Sequence, residues 1–113
     1  MTSPLRVTQE VSVEAPQTKL VADKAFVLKF SAVDATPSVA NLSVFEAGNT
    51  VANNVTYFDD GQDGQQIAVL GDGFTMVVHD VAKLKTNTGA NKLLSADKVY
   101  RFTRFASVWI EDA

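Results

Sequence analysis

Apolar and polar positions alternate along most of this chain in short runs of four to eight residues, broken by polar clusters about every ten residues. Leu5, Val7, Val11 and Val13 fall on one side of a period-2 pattern, with Arg6, Thr8, Glu10 and Ser12 on the other. That is the pattern of a half-buried strand. Glu14-Ala15-Pro16-Gln17 interrupts it, because Pro16 has no amide to give to a sheet. Lys19–Ala22 is a further candidate strand, and Phe26, Leu28 and Phe30 alternate with Val27 and Lys29. A helix over 19–30 competes with that reading, since Ala, Lys and Leu form helices well, and the alternation favours strand. Strands are also predicted over 39–45, 51–58, 81–85, 99–105 and 109–111, with a polar loop over 86–92.

The stretch from Phe58 to His79 has the clearest order. A polar turn (Asp59 to Gln65) leads into Gln66-Ile67-Ala68-Val69-Leu70, and Gly71-Asp72-Gly73 separates that run from Phe74-Thr75-Met76-Val77-Val78. Two β-rich runs around so short a turn predict a hairpin. Asp60, Gly61, Gly64, Gly71, Asp72 and Gly73 are read as turn-forming residues, suited to positive φ and to local bonds with main-chain amides. The expected fold is all-β, an antiparallel sandwich or barrel-like module.

Ser31–Ser38 reads as a connector, because Pro37 drives Thr36 away from helical geometry. It is either an ordinary loop or a boundary, the latter dividing an N-terminal arm (1–33) from a β module (34–113). The 113 residues suit one domain, and 46% hydrophobic residues with seven Phe provide a core. A formal charge of −3 gives no basic field for nucleic acid, and no run approaches the length of a membrane span. With no cysteine there are no disulfides, zinc thiolates or thiol nucleophiles. Met1 to Arg6 does not open a secretory signal, so the chain is read as made in the cytoplasm.

Candidate chemistry is sparse. Asp59, Asp60 and Asp63 invite a calcium reading, but counting from Asp59 the EF-hand positions three and twelve are Gly61 and Leu70. A hydrogen-bonded turn is the simpler reading, with another kind of calcium turn left open. His79, the single histidine, precedes Asp80, which points the other way in extended chain. It is structural or a ligand shared between symmetric copies. No Gly-x-Ser-x-Gly elbow is present, and Gly71-Asp72-Gly73 is too short for a dinucleotide fingerprint. Arg101 alternates away from Tyr100 and Phe102, which indicates a solvated strand face and not a base-stacking platform. No catalytic residue, metal ligand or cofactor site is expected.

From about Ala35 to Glu111 the chain resembles the β-module repeated in tail fibres, tailspikes and related appendages of tailed bacteriophages. The resemblance is carried by Ala35-Thr36-Pro37-Ser38-Val39, Val44-Phe45, Gly48-Asn49-Thr50 and Val55-Thr56-Tyr57-Phe58. It continues through Asp60-Gly61, Gly64-Gln65-Gln66-Ile67, Gly71-Asp72-Gly73 and Thr88-Gly89-Ala90-Asn91-Lys92, to Tyr100-Arg101-Phe102 and Trp109-Ile110-Glu111. It implies a homotrimeric, β-structured projection with a mechanical and adhesive role. Two departures stand out. Phe74-Thr75-Met76 replaces a polar pair after the Gly-Asp-Gly turn, and Phe105-Ala106-Ser107-Val108 replaces a final turn through Gly or Asn. Both imply apolar contact with another subunit.

A fibre needs an anchor, a shaft and a tip, and 113 residues hold one module and an arm. Taken as complete from its initial Met, the chain is expected to be a small capsid decoration (cement) or head-fibre protein of the virion. Its expected partners are its own copies and the major capsid protein or another virion protein. Leu5, Val7, Val11 and Val13 are the candidate attachment residues. The alternatives are a tail-fibre or adhesin subunit contacting a host receptor or glycan, and a carbohydrate-binding or hydrolytic module on a spike.

Overall fold

The computed structural model describes residues 27–113. The strand expectations for Leu5–Val13 and Lys19–Ala22 lie outside the described residues. Among the described residues there are nine strands: β1 (Val27–Lys29), β2 (Val44–Glu46), β3 (Asn53–Val55), β4 (Gln66–Leu70), β5 (Thr75–Val77), β6 (Leu84–Lys85), β7 (Lys92–Leu93), β8 (Val99–Phe105) and β9 (Val108–Glu111). Among the described residues all regular structure is strand, as the period-2 pattern predicts.

The strands form a six-stranded sheet in the order β1-β2-β4-β8-β9-β6 and a three-stranded sheet in the order β3-β5-β7. From β2 to β8 the chain changes sheet at every connection. The first two such excursions bring a strand back beside, and parallel to, the one laid down before it, β4 beside β2 and β5 beside β3. Val44 lies opposite Ala68 in parallel register, and Asn53 opposite Thr75. The links between coils continue the stacking, with the Val39 amide donating to the Asp59 carbonyl and the Thr56 amide to the Ala35 carbonyl, both at 2.9 Å. The first part of the molecule is therefore wound as coils, and an antiparallel run, β4-β8-β9, closes it.

Two expectations need correction. The sheets are mixed and not antiparallel, since β1–β2, β2–β4, β3–β5 and β6–β9 are all parallel pairs. A parallel pair needs a long crossover, which the passage through the other sheet supplies for β2–β4 and β3–β5 and the segment 30–43 supplies for β1–β2. The predicted hairpin around Gly71-Asp72-Gly73 also does not form, because β4 belongs to the large sheet and β5 to the small one. The turn is tied instead to the segment after β7. Gly71 donates to Lys98 O and Gly73 to Leu94 O, each at 2.8 Å. A Cβ on Gly71 would sit 2.1 Å from the Ser95 carbonyl oxygen, so only glycine lets the two backbones meet.

One core lies between the sheets. Phe58 is its centre, with ring centroids 6.0 Å from Phe30, 5.1 Å from Phe102 and 5.6 Å from Trp109. Phe45, Val69 and Leu84 from the large sheet and Val55 and Val77 from the small sheet complete it. The sequence boundary at 33/34 falls after β1. That strand pairs along β2 and leads into Phe30, which is buried against Phe45.

Candidate association surface

Alternation along β4 and β8 sends Ile67, Val69 and Phe102 into the core, so their neighbours face outward. Register aligns those neighbours across four strands. One row is Val27, Val44, Ala68 and Arg101, and the next is Lys29, Glu46, Leu70 and Val99. The outward face of the six-stranded sheet is thus apolar at its middle. Val27, Val44 and Val99 are 46%, 43% and 50% exposed, where a solvated face would carry polar side chains. Val27, Val44, Ala68, Leu70 and Val99 line a shallow hollow of about 270 Å³, with Glu46 on its rim. Arg101 takes the solvated side that alternation assigns it, at the corner of this patch.

The small sheet carries a second patch on its own outer side. Asn54, Met76 and Leu93 stand opposite one another, and Phe74 lies two residues before Met76 on the same side. Phe74 and Leu93 are both exposed. Phe74 and Met76 are the residues that depart from the polar pair, while Thr75 between them is buried and bonded to Asp72. The second departure splits likewise. Phe105 is exposed beside the two-residue turn Ala106-Ser107, whose φ angles are 48° and 67°.

The turn-forming residues hold this frame. Asp72 is a hub: its Oδ1 accepts the amides of Phe74 and Thr75 at 2.8 Å, and its Oδ2 accepts the Asn49 amide and the Thr75 hydroxyl at 2.7 Å. Partial burial opposes its charge, but the Thr75 hydroxyl and the amides of Phe74, Thr75 and Asn49 outweigh it and hold the carboxyl below its ordinary value. Asp60 has a φ of 65° and accepts the Ser38 hydroxyl at 2.6 Å. Gly61 lies against the Trp109 ring, Gly64 has a φ of 90°, and Gly73 a φ of 82°. Asp63 accepts the Ser107 amide at 2.9 Å and lies 3.6 Å from the Arg104 guanidinium, so it ties the first turn to the last.

These carboxylates point to separate partners. Among the described residues no group of three His, Asp or Glu side chains is placed to hold a metal ion. His79 is engaged locally: the Thr86 amide donates to its Nδ1 at 3.1 Å, which leaves the ring proton on Nε2. Leu5, Val7, Val11 and Val13 lie outside the described residues. Among the described residues no helix is long and apolar enough to cross a membrane. The outward apolar rows were missed in the sequence because Ile67 to Leu70 is apolar on both sides, which hides which parity is buried. That same continuity was the available signal. Comparison with family models, curated proteins and solved structures finds no match to this chain.

Proposed function

We infer that this protein is a structural component of a bacteriophage virion, a capsid decoration (cement) or head-fibre protein working as a homotrimer. The observation that carries the reading is the open apolar face of the six-stranded sheet at Val27, Val44, Ala68, Leu70 and Val99. A small domain that leaves such a face open gains burial by associating with its own copies. The resemblance over residues 35–111 supplies the kind of particle. The paired sheets serve as a sandwich-like body that projects from the capsid.

Attachment falls to the N-terminal stretch with Leu5, Val7, Val11 and Val13. An alternating strand added to the edge of a capsid-protein sheet gains main-chain hydrogen bonds, and three arms on one trimer bind by avidity. Deleting residues 2–14 is expected to leave a folded trimer that no longer binds particles lacking the protein; an unfolded or aggregated product places that stretch in the core.

The tail-fibre or adhesin reading draws on Phe105, an exposed aromatic beside a turn at the tip of a hairpin. Cryo-electron microscopy of particles decorated with the purified protein separates the two. Three-fold density on the head supports decoration, density at a tail tip supports adhesion, and bare particles contradict both.

A further inference from the structure

We propose that this chain forms an internal isopeptide bond, joining the side-chain amine of Lys92 to the side-chain carbonyl carbon of Asn87, with Glu111 carrying the protons.

The three groups arrive from separate parts of the fold. Lys92 begins β7 in the small sheet, Glu111 ends β9 in the large sheet, and Asn87 lies in the loop after β6. Lys92 Nζ lies 2.9 Å from Oε1 and 3.0 Å from Oε2 of Glu111, and it also donates to Asn87 Oδ1. The Glu111 side chain is 5% exposed and that of Lys92 20%, so water is largely kept from between them. An amine, a carboxamide and a buried carboxylate in contact are the parts that amide exchange needs: nucleophile, electrophile and general acid–base.

The carboxamide is oriented for this. Asn87 Nδ2 donates to the Asp112 carbonyl at 2.9 Å, which turns Oδ1 toward Lys92. The Asn87 main-chain amide donates to Glu111 Oε1 at 3.0 Å, so nucleophile and electrophile are anchored on one carboxylate. The loop between them is fixed as well. The buried Thr86 hydroxyl donates to the Ala90 carbonyl at 2.6 Å and accepts the Ala90 amide at 3.2 Å. Groups held in contact by the fold react as one molecule and avoid the entropy of meeting. An ion pair alone needs only Lys92 and Glu111; the turned carboxamide adds an electrophile beside the amine.

The step balances without any co-reactant. Glu111 takes a proton from the Lys92 ammonium, and the freed lone pair of Nζ attacks Cγ of Asn87. Glu111 then gives its proton to Nδ2 and removes another from Nζ. The Nζ–Cγ bond has formed, the Cγ–Nδ2 bond breaks, and ammonia leaves. Ammonia takes the second proton as ammonium, which returns Glu111 to a carboxylate, and nothing is oxidised or reduced. Asn87 is exposed, so the leaving group departs directly into water. The product ties together the two ends of the exposed segment 88–91, a covalent tie in a chain with no cysteine for a disulfide.

Tryptic digestion of the folded and then denatured protein, read by mass spectrometry, tests this. Trypsin cuts after unmodified lysine, and Lys85, Lys92 and Lys98 are successive sites. The expected product is residues 86–98 as one peptide, uncut at Lys92 and lighter by one ammonia. Glu111→Gln, with folding checked by circular dichroism, is expected to give 86–92 and 93–98 separately at full mass. Those two peptides at full mass from the folded parent protein would overturn the bond, whatever the variant does. So would loss of ammonia with Lys92 still cleaved, the mark of an Asn87 cyclised onto its own backbone. A linked peptide from folded Glu111→Gln would overturn the role given to Glu111.

Discussion

The indole Nε1 of Trp109 donates to the main-chain carbonyl of Phe58 at 2.9 Å while the two rings meet edge to face, their planes at 89°. One contact thus joins β9 to the chain just before the Asp60-Gly61 turn, and both side chains are fully buried. Trp109→Phe leaves the Phe58 carbonyl without its donor, a loss of about 1–3 kcal/mol. Trp109→Ala adds a cavity and costs about 3–5 kcal/mol. Gly61→Ala acts on the same ring, since its new Cβ would lie 2.4 Å from Cζ2 of Trp109. Urea unfolding followed by tryptophan fluorescence for Gly61→Ala, and by circular dichroism for the Trp109 variants, checks all three. Unchanged midpoints would refute the role given to this contact.

Asp72 makes the fold acid-sensitive. Its carboxyl is held below the ordinary value, so its contribution is fully present above about pH 4, the unfolded value. The contribution is lost as pH falls through the lower folded value. Asp72→Asn puts an amide where Oδ2 now accepts the Asn49 amide and the Thr75 hydroxyl. The expected cost at neutral pH is about 1.5–3 kcal/mol, the range for hydrogen bonds to a charged group. The variant's stability should fall less steeply than the parent's as pH drops below about 4. Parallel pH curves for the two proteins would contradict this role.

The β8–β9 turn is built from the wrong residues for its shape. Ala106 and Ser107 both have positive φ, a conformation that costs L-residues roughly 1–2 kcal/mol each and that Asn-Gly adopts readily. Ser107 is held through its backbone, by Asp63 at its amide and the Tyr57 hydroxyl at its carbonyl, and glycine keeps both bonds. Ala106→Asn with Ser107→Gly should raise stability by about 1–2 kcal/mol. A lower denaturation midpoint would show that the serine and alanine side chains matter in their own right.

Local features were legible in the sequence and pairings were not. The alternation from Val99 to Phe105 marks β8 at its true ends, and the polar loop read over 86–92 is loop except at Lys92, which begins β7. Val81 to Lys85 reads as extended, yet only Leu84 and Lys85 are strand, because Asp80 closes a turn with the Leu84 amide at 2.8 Å. Gly71-Asp72-Gly73 has the composition of a hairpin turn, but the Asp72 carboxylate spends its acceptors on Asn49, Phe74 and Thr75 and sends the chain to the other sheet. Parallel neighbours such as Val44 and Ala68 are separated by a whole coil, for which short-range patterning has no signal. The association surface was half visible: Phe74 and Phe105 stood out as departures, whereas Val27, Val44 and Val99 read as ordinary strand residues until register placed them on one face.

Self-association is tested most directly by sedimentation equilibrium of the purified chain at low micromolar concentration. A homotrimer has a mass of about 37 kDa, three times the 12.2 kDa of one chain, and should persist on dilution. A single species of 12.2 kDa would contradict it.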